Sequence, residues 1–343
     1  MRDIRSRMGA LMLLAALGWF SAPLEAAEAP PYPPLREDLK VEQVPGSPIY
    51  YVIGHPGVPG EANEGHTSNA GFVITPEGVV VFDSLGTPSL GWALLQHIRQ
   101  LTQAPIRYVV VSHYHADHIY GLQAFKDHTQ AEILAQEKAA DYTNPNNTED
   151  EAAAPRLAQR REALAPWVNE TTRIVEPDTV FGQQRTLSLG GKRFELIYGG
   201  PAHSQSDSMM LVEPDGVLFA GDIVQNGRIP FMSSADANTG HWLEGLETVA
   251  KLNPRFIIPG HGQPSNAVAP AIAFTRDYIT YLRRTMGDAV QRWTDFETAY
   301  RNTDWSAYRN LPAFEATNKG NAYRVFLDME KAAFAAGGAQ SAP

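Results

Sequence analysis

Within six consecutive positions, His113-Tyr114-His115-Ala116-Asp117-His118, the chain carries three imidazoles and a carboxylate. These nitrogen and oxygen donors suit zinc, iron or manganese, and imidazole is the commonest protein ligand for such ions. The stretch follows Arg107 to Val111, which reads as a buried strand, so it sits on the loop leaving the carboxyl edge of a sheet, where sites in α/β sheets form. Four such groups cannot share one face of a helix or strand. On a loop they converge on a pair of metals, His113 and His115 on one, Asp117 and His118 on the other. A solvated His-rich turn that takes up adventitious metal is the plain alternative.

The elements that must position this loop are legible from periodicity. Ile49 to Ile53, Gly71 to Thr75 and Val79 to Ser84 are short β-branched or aromatic runs parted by turn formers such as Pro76-Glu77-Gly78, and they read as strands. Pro88 to Leu101 has apolar residues at helical spacing. Further strands are expected at Ala131 to Ala135, Arg185 to Leu189, Arg193 to Tyr198, Ser208 to Val212, Val217 to Ala220 and Arg255 to Ile258. Helices are expected at His241 to Lys251, Phe274 to Trp293 and Asn321 to Ala335. Two runs of strands, each followed by helices, predict two sheets packed face to face with helices outside. Gln136 to Val168 reads as helical, broken at Asn144-Pro145-Asn146-Asn147. It is expected to cover the metal edge, with Ala152 to Ala154, Leu157, Leu164 and Trp167 on its apolar side and Arg156, Arg160, Arg161 and Glu162 on its solvated side.

Length and charge exclude several classes. The chain has 343 residues, 43% hydrophobic and 19% charged, which supports a large core. Its formal net charge of -10 argues against nucleic acid as a partner and for a small-molecule substrate. With no cysteine there is no disulfide, no thiolate ligand and no lipid-modified cysteine. Arg2, Arg5 and Arg7 precede an apolar run from Met8 to Phe20 and small residues up to Ala26 and Ala29, the layout of a cleaved signal peptide and hence of a periplasmic or secreted protein without a stable membrane anchor. The run is shorter than the roughly 20 residues a membrane-spanning helix needs. The organisation expected is therefore signal peptide 1–26, proline-rich linker 27–45, main domain 46–270 and helical extension 271–343.

Three further elements follow the histidine cluster in order: His203 in Gly200-Pro201-Ala202-His203-Ser204, Asp222 in Leu218-Phe219-Ala220-Gly221-Asp222, and His261 in Pro259-Gly260-His261-Gly262. The ordered set, spanning Asn69 to Gly262, resembles the metallo-β-lactamase superfamily. The resemblance implies an α+β fold, a four-layer αββα sandwich, with two zinc ions (iron or manganese in some branches) at one edge. It implies His113, His115 and His203 on one metal, Asp117, His118 and His261 on the other, and Asp222 bridging. Two ions about 3.5–4 Å apart activate a bridging water toward an ester, thioester, lactone or lactam carbonyl, with Asp117 orienting the nucleophile or accepting its proton. Aspartate at 222 is more similar to the glyoxalase II and lactonase branches than to true β-lactamases, a reading that stays open as an alternative. Gly227 to Met232, Asn321 to Phe326 and the signal segment resemble exported metallohydrolases of sulfur-oxidation and quinoprotein systems, which leaves a non-catalytic, metal-binding partner in a periplasmic redox pathway as the alternative from another class. A nuclease would need a basic face, and a mononuclear-iron dioxygenase would use only part of the ligand set.

Asp83, at the end of a hydrophobic strand, is expected to accept the second N–H of a ligating imidazole, against an ordinary strand-end turn. Among the other polar residues, His66 is a candidate to overhang the site, and Tyr120, Asn226 and Arg228 are candidate substrate contacts. His97 and His128 read as solvated, His241 as opening a helix, and His55 carries no signal. No basic cluster for a glutathione-like thioester is visible in the linear sequence.

Overall fold

A computed structural model describes residues 30–144, 152–232, 234 and 237–340. The expected signal segment lies outside them. Among the described residues no helix is long and apolar enough to cross a membrane.

A seven-stranded sheet runs in the order β1 (Val41–Gln43), β2 (Ile49–Val52), β3 (Ala70–Thr75), β4 (Gly78–Phe82), β5 (Ile106–Val110), β6 (Glu132–Gln136) and β7 (Thr179–Phe181). Its first four strands pair antiparallel and β4 to β7 pair parallel. A second, five-stranded sheet has β8 (Gln184–Leu189), β9 (Lys192–Tyr198), β10 (Ser208–Glu213), β11 (Val217–Asn226) and β12 (Phe256–Gly262) in the order β12-β11-β10-β9-β8.

The alternation of side chains across a strand explains why two sheets stack. In β4, Val79 and Val81 enter one apolar cluster with α1 (Pro88–Leu101), while Val80 and Phe82 enter another that lies between the sheets. In β10, Met209 and Leu211 face the helices α6 (Thr239–Leu252), α7 (Val268–Gln291) and α9 (Phe314–Gln340), whereas Met210 and Val212 face the first sheet. Strands apolar on both faces must be covered on both faces, and the result is helix, sheet, sheet, helix. Phe82 and Phe219 stack across the inter-sheet layer with ring centroids 5.3 Å apart.

Short helices complete the chain: α2 (Ala116–Ile119), α3 (Leu122–His128), α4 (Ala139–Thr143), α5 (Ala153–Ala163) and α8 (Phe296–Asn302). The helix at Pro88 is set by Pro88 in its first turn and by the Thr87 hydroxyl, which accepts from the Leu90 amide at 3.2 Å.

The structure departs from expectation at short or insulated elements. Order begins before Ile49: β1 pairs with β2, and Leu39 and Val44 are buried, so part of the stretch read as linker belongs to the sheet and its cover. β1 and β7 are three residues each, too short for a period to show. The expected helical C-terminal extension is present as α7, α8 and α9, and Ile272, Tyr278, Ile279 and Leu282 of α7 and Val325 of α9 share the core of the second sheet.

Replacing Phe219 by alanine removes the central ring of the inter-sheet layer. It should lower stability by about 3–5 kcal/mol, read as a lower denaturant midpoint at unchanged slope; a loss below about 1 kcal/mol would mean that the layer is not packed as described.

Candidate metal centre

The loop after β5 and the carboxyl ends of β11 and β12 meet at one edge of the sandwich, held by bonds that cross between sheets. The Asn69 side-chain amide donates to the Pro259 and Gly262 carbonyls at 2.8 and 2.9 Å, and the Ser208 amide donates to the Ser112 carbonyl at 2.8 Å. Asp222 stands where the pairing of β11 with β12 slips between Gly221 and Gln225, an irregularity that turns its carboxylate to the edge. Gly221 has φ +50°, and a Cβ there would meet the Ser112 Cβ at 2.7 Å. A Cβ on Gly260 would meet an Asp222 carboxylate oxygen at 1.9 Å, which explains glycine before His261.

All seven residues singled out by sequence come together here. Ligand atoms of His113, His115 and His203 lie within 4.8 Å of one another, as do those of Asp117, His118 and His261, and those of His113, His118 and Asp222. Asp222 lies between the first two groups: one oxygen is 3.3 Å from His118 Nε2, the other 3.2 Å from both His203 Nε2 and His261 Nε2. One local expectation changes. Only His113 and His115 are on a loop, because Asp117 and His118 occupy the single-turn helix α2, which the short motif concealed.

The far side of four of the five rings is pinned. His118 Nδ1 donates to Asp83 at 2.8 Å, His203 Nδ1 to the Phe231 carbonyl at 2.8 Å and His261 Nδ1 to the Thr67 carbonyl at 2.6 Å. The Ser112 hydroxyl donates to Asp83 at 2.8 Å and so accepts from His113 Nδ1 at 2.9 Å. These bonds assign the Nδ1–H tautomer to each ring and turn the Nε2 lone pairs inward. His115 presents Nδ1 instead, 2.8 Å from His203 Nε2. Three inward atoms, His113 Nε2, His118 Nε2 and Asp222 Oδ1, are buried without a hydrogen bond. Converging lone pairs with unmet buried acceptors repel one another unless a cation lies between them, so the donor set fits metal ions.

The electrostatics agree. Burial lowers the His113 and His115 imidazoles well below their usual range, with neighbouring imidazoles adding to the effect. Burial opposes charge on His118 too, but Asp222, Asp83 and Asp117 outweigh it and raise it well above that range. For Asp222 burial favours the neutral acid, yet His261, His118 and His203 hold it well below the carboxylate range. Asp117 is lowered likewise, His118 and His261 overcoming its burial.

Asp83 takes the place expected of it, accepting from His118, from the Ser112 amide at 2.7 Å and from the Ser112 hydroxyl. Its φ of +60° is a conformation aspartate tolerates better than most residues. Behind His203, Asp207 accepts from the Ser204 amide and hydroxyl, and burial pushes its carboxyl up to about 6. Trp242 lies edge-on to His203 and donates to the Ile223 carbonyl.

The cluster opens into a cleft of about 230 Å³ lined by His115, Asp117, His203, Asp222 and His261, with Arg156, Arg160 and Arg228 around them. Of the expected substrate contacts only Arg228 lines it. Tyr120 is in the core under α1, the Asn226 amide is spent on the Gln263 carbonyl, and His66 sits in a neighbouring pocket against His55, lowered to about 4 chiefly by burial. His97 and His128 are not free in solvent: His97 meets Asp38 at 2.9 Å and His128 packs on Trp92. Arg156 and Arg160, expected on the solvated side of their helix, face the cleft; their i, i+4 spacing was the available signal. Trp167 turns away from it, donating to the Pro34 carbonyl with Arg36 over its ring.

Two substitutions probe this support. Asp83→Asn keeps the backbone conformation but weakens the acceptor of His118 and Ser112, and metal affinity should fall about 10- to 100-fold by competition with a chelator; unchanged affinity would leave Asp83 a turn residue. Gly260→Ala should push the Asp222 carboxylate aside and lower metal affinity by a similar factor at unchanged circular dichroism, whereas full metal content at wild-type affinity would refute the close approach.

A family profile described as the metallo-beta-lactamase superfamily matches residues 63–261. A linear primary-alkylsulfatase of Pseudomonas sp. is 22% identical over 251 residues, covering 64% of this chain and 46% of the relative. A type 2 metallo-beta-lactamase of Bacillus sp. is 23% identical over 204 residues, covering 57% and 67%. Among solved structures, a metallo-beta-lactamase from Pontibacter korlensis aligns at TM-score 0.54 and 18% identity over 71% of this chain and 99% of that one. The stereoselective inverting sec-alkylsulfatase Pisa1 from Pseudomonas sp. aligns at TM-score 0.62 and 16% identity over 84% and 50%. The chain thus spans about half the length of these sulfatases, and the structural likeness speaks for the fold. With more than half of its length inside the profile and the four layers in place, the chain belongs to the metallo-beta-lactamase superfamily.

Proposed function

We propose that this protein is a dinuclear zinc hydrolase of small molecules, exported by its N-terminal segment and acting on an ester, thioester, lactone or lactam. The observation that carries this reading is the convergence of five imidazoles and two carboxylates, with His113 Nε2, His118 Nε2 and Asp222 Oδ1 buried without a hydrogen bond and the outer nitrogens of His113, His118, His203 and His261 pinned. His113, His115 and His203 would hold one ion, Asp117, His118 and His261 the other, and Asp222 would face both. Two such ions supply an activated water and polarise the bond to be cleaved. The absence of thiolate favours zinc, iron or manganese held by nitrogen and oxygen alone.

The chain's own groups have separable tasks. Asp117 is held as a carboxylate by His118 and His261, so it takes up a proton poorly, and orienting is its better role. Thr67 donates to its Oδ2 at 3.2 Å and fixes its direction. Buried His113, His118 and His261 keep bulk water off the far side of the centre, whereas half-buried His115 and Asp117 meet whatever enters the cleft.

The test is metal analysis of the purified protein combined with a panel of lactones, thioesters, aryl esters and β-lactams. Close to two zinc ions per chain and turnover of an ester or lactone in preference to a carbapenem are expected. Asp222→Ala should lose one ion and most of the hydrolysis while keeping its circular dichroism. One iron with no second metal, or undiminished hydrolysis in the variant, overturns the reading.

A further inference from the structure

Three arginines from two distant parts of the chain line the cleft beside the metal cluster. Arg228 follows β11 and is only 3% exposed, with no acceptor for its Nε or Nη1. A buried guanidinium with unmet donors is unfavourable unless a ligand takes them. Asp117 and Asp222 are the carboxylates whose charge acts on it, but neither lies within ion-pair distance, and metal ions would engage both. Arg156 and Arg160 stand one turn apart on α5, where the charge of Arg160 acts against that of Arg156, and such a pair can share one anion. Val58, Pro59, Phe231 and Ala316 line the same cleft and offer apolar surface.

We propose that the cleft selects small amphiphilic substrates bearing an oxyanion group, a carboxylate or a sulfur oxyanion, held by the buried Arg228 and by Arg156 and Arg160 on α5, with the apolar body against the apolar part of the lining. A planar guanidinium can meet such a group with two parallel donors, which orients the substrate as well as binding it. The inference rests on the hydrolase reading for its catalytic consequence; the anion site itself stands on the arginines.

The zinc-loaded full chain would be assayed with a matched set: 4-acetoxybenzoate, 4-acetoxybenzenesulfonate and neutral methyl 4-acetoxybenzoate. The charged esters should be preferred, the better of them naming the oxyanion. Arg228→Gln and the double variant Arg156→Gln/Arg160→Gln should each lower the charged-to-neutral ratio of kcat/KM by about tenfold, mostly through KM, and Arg228→Lys should recover part of it. Equilibrium dialysis of radiolabelled sulfate should show one saturable site weakened by about tenfold in the same glutamine variants, with zinc content measured in each. Should Arg228→Gln fail to fold, the double variant on the outer helix decides. Equal ratios in wild type and variants, or sulfate affinity unchanged at full zinc content, overturns the anion site. Arginine-dependent sulfate binding without any ester turnover supports the anion site and sinks the hydrolase reading instead.

Discussion

Two carboxylates, Asp117 and Asp222, are drawn into a protein edge among five imidazoles, and the rest of the structure answers the electrostatic difficulty this creates. Taking an ionised carboxylate out of water is unfavourable by several kcal/mol unless opposite charge and hydrogen bonds compensate. Here the compensation is His118, His203 and His261 around Asp222. Asp222, Asp83 and Asp117 favour a proton on His118 against its burial, and a proton is a small stand-in for a cation. A divalent ion satisfies the same lone pairs better, because it meets several at once without asking any ring to be a donor inward.

The four layers serve that arrangement by fixing its register. Strands buried on both faces cannot slip by one residue without sending an apolar set into the wrong layer. Val79 and Val81 against α1, with Val80 and Phe82 against the other sheet, hold β4 to within one residue, and the end of β4 is where Asp83 sits. From there one carboxylate orients His118 directly and His113 through Ser112. Packing far from the centre therefore decides where two of its rings point.

The sequence made the apolar layers and the ligand set legible for one reason each. β-branched runs between turn formers report strands covered on both faces, and three imidazoles beside a carboxylate have few structural uses. What it hid was anything that depends on distant segments meeting. β1 and β7 are three residues long and borrow their order from neighbours. Thr67, Ser112 and Phe231 contribute a carbonyl or a hydroxyl, and no residue type announces a backbone acceptor. The arginines were hidden most completely: Arg156 and Arg160 look like a solvated helix face until α5 is seen to turn that face onto the cleft, and Arg228 is far from both in the chain.

Those two kinds of residue also hang from different parts of the scaffold. Six of the ligands follow β5 or stand on β11 and β12, which are held by pairing and by the inter-sheet bonds of Asn69 and Ser208, and His203 stands on the loop between β9 and β10. The arginines extend from α5, a short helix inserted between β6 and β7, and from the loop after β11. A displacement of α5 moves charge at the cleft mouth without moving a ligand, since α5 bears none of them. On the proposed reading, chemistry and substrate choice are carried by different elements, and the second can vary across a superfamily while the strand ends keep the first in place.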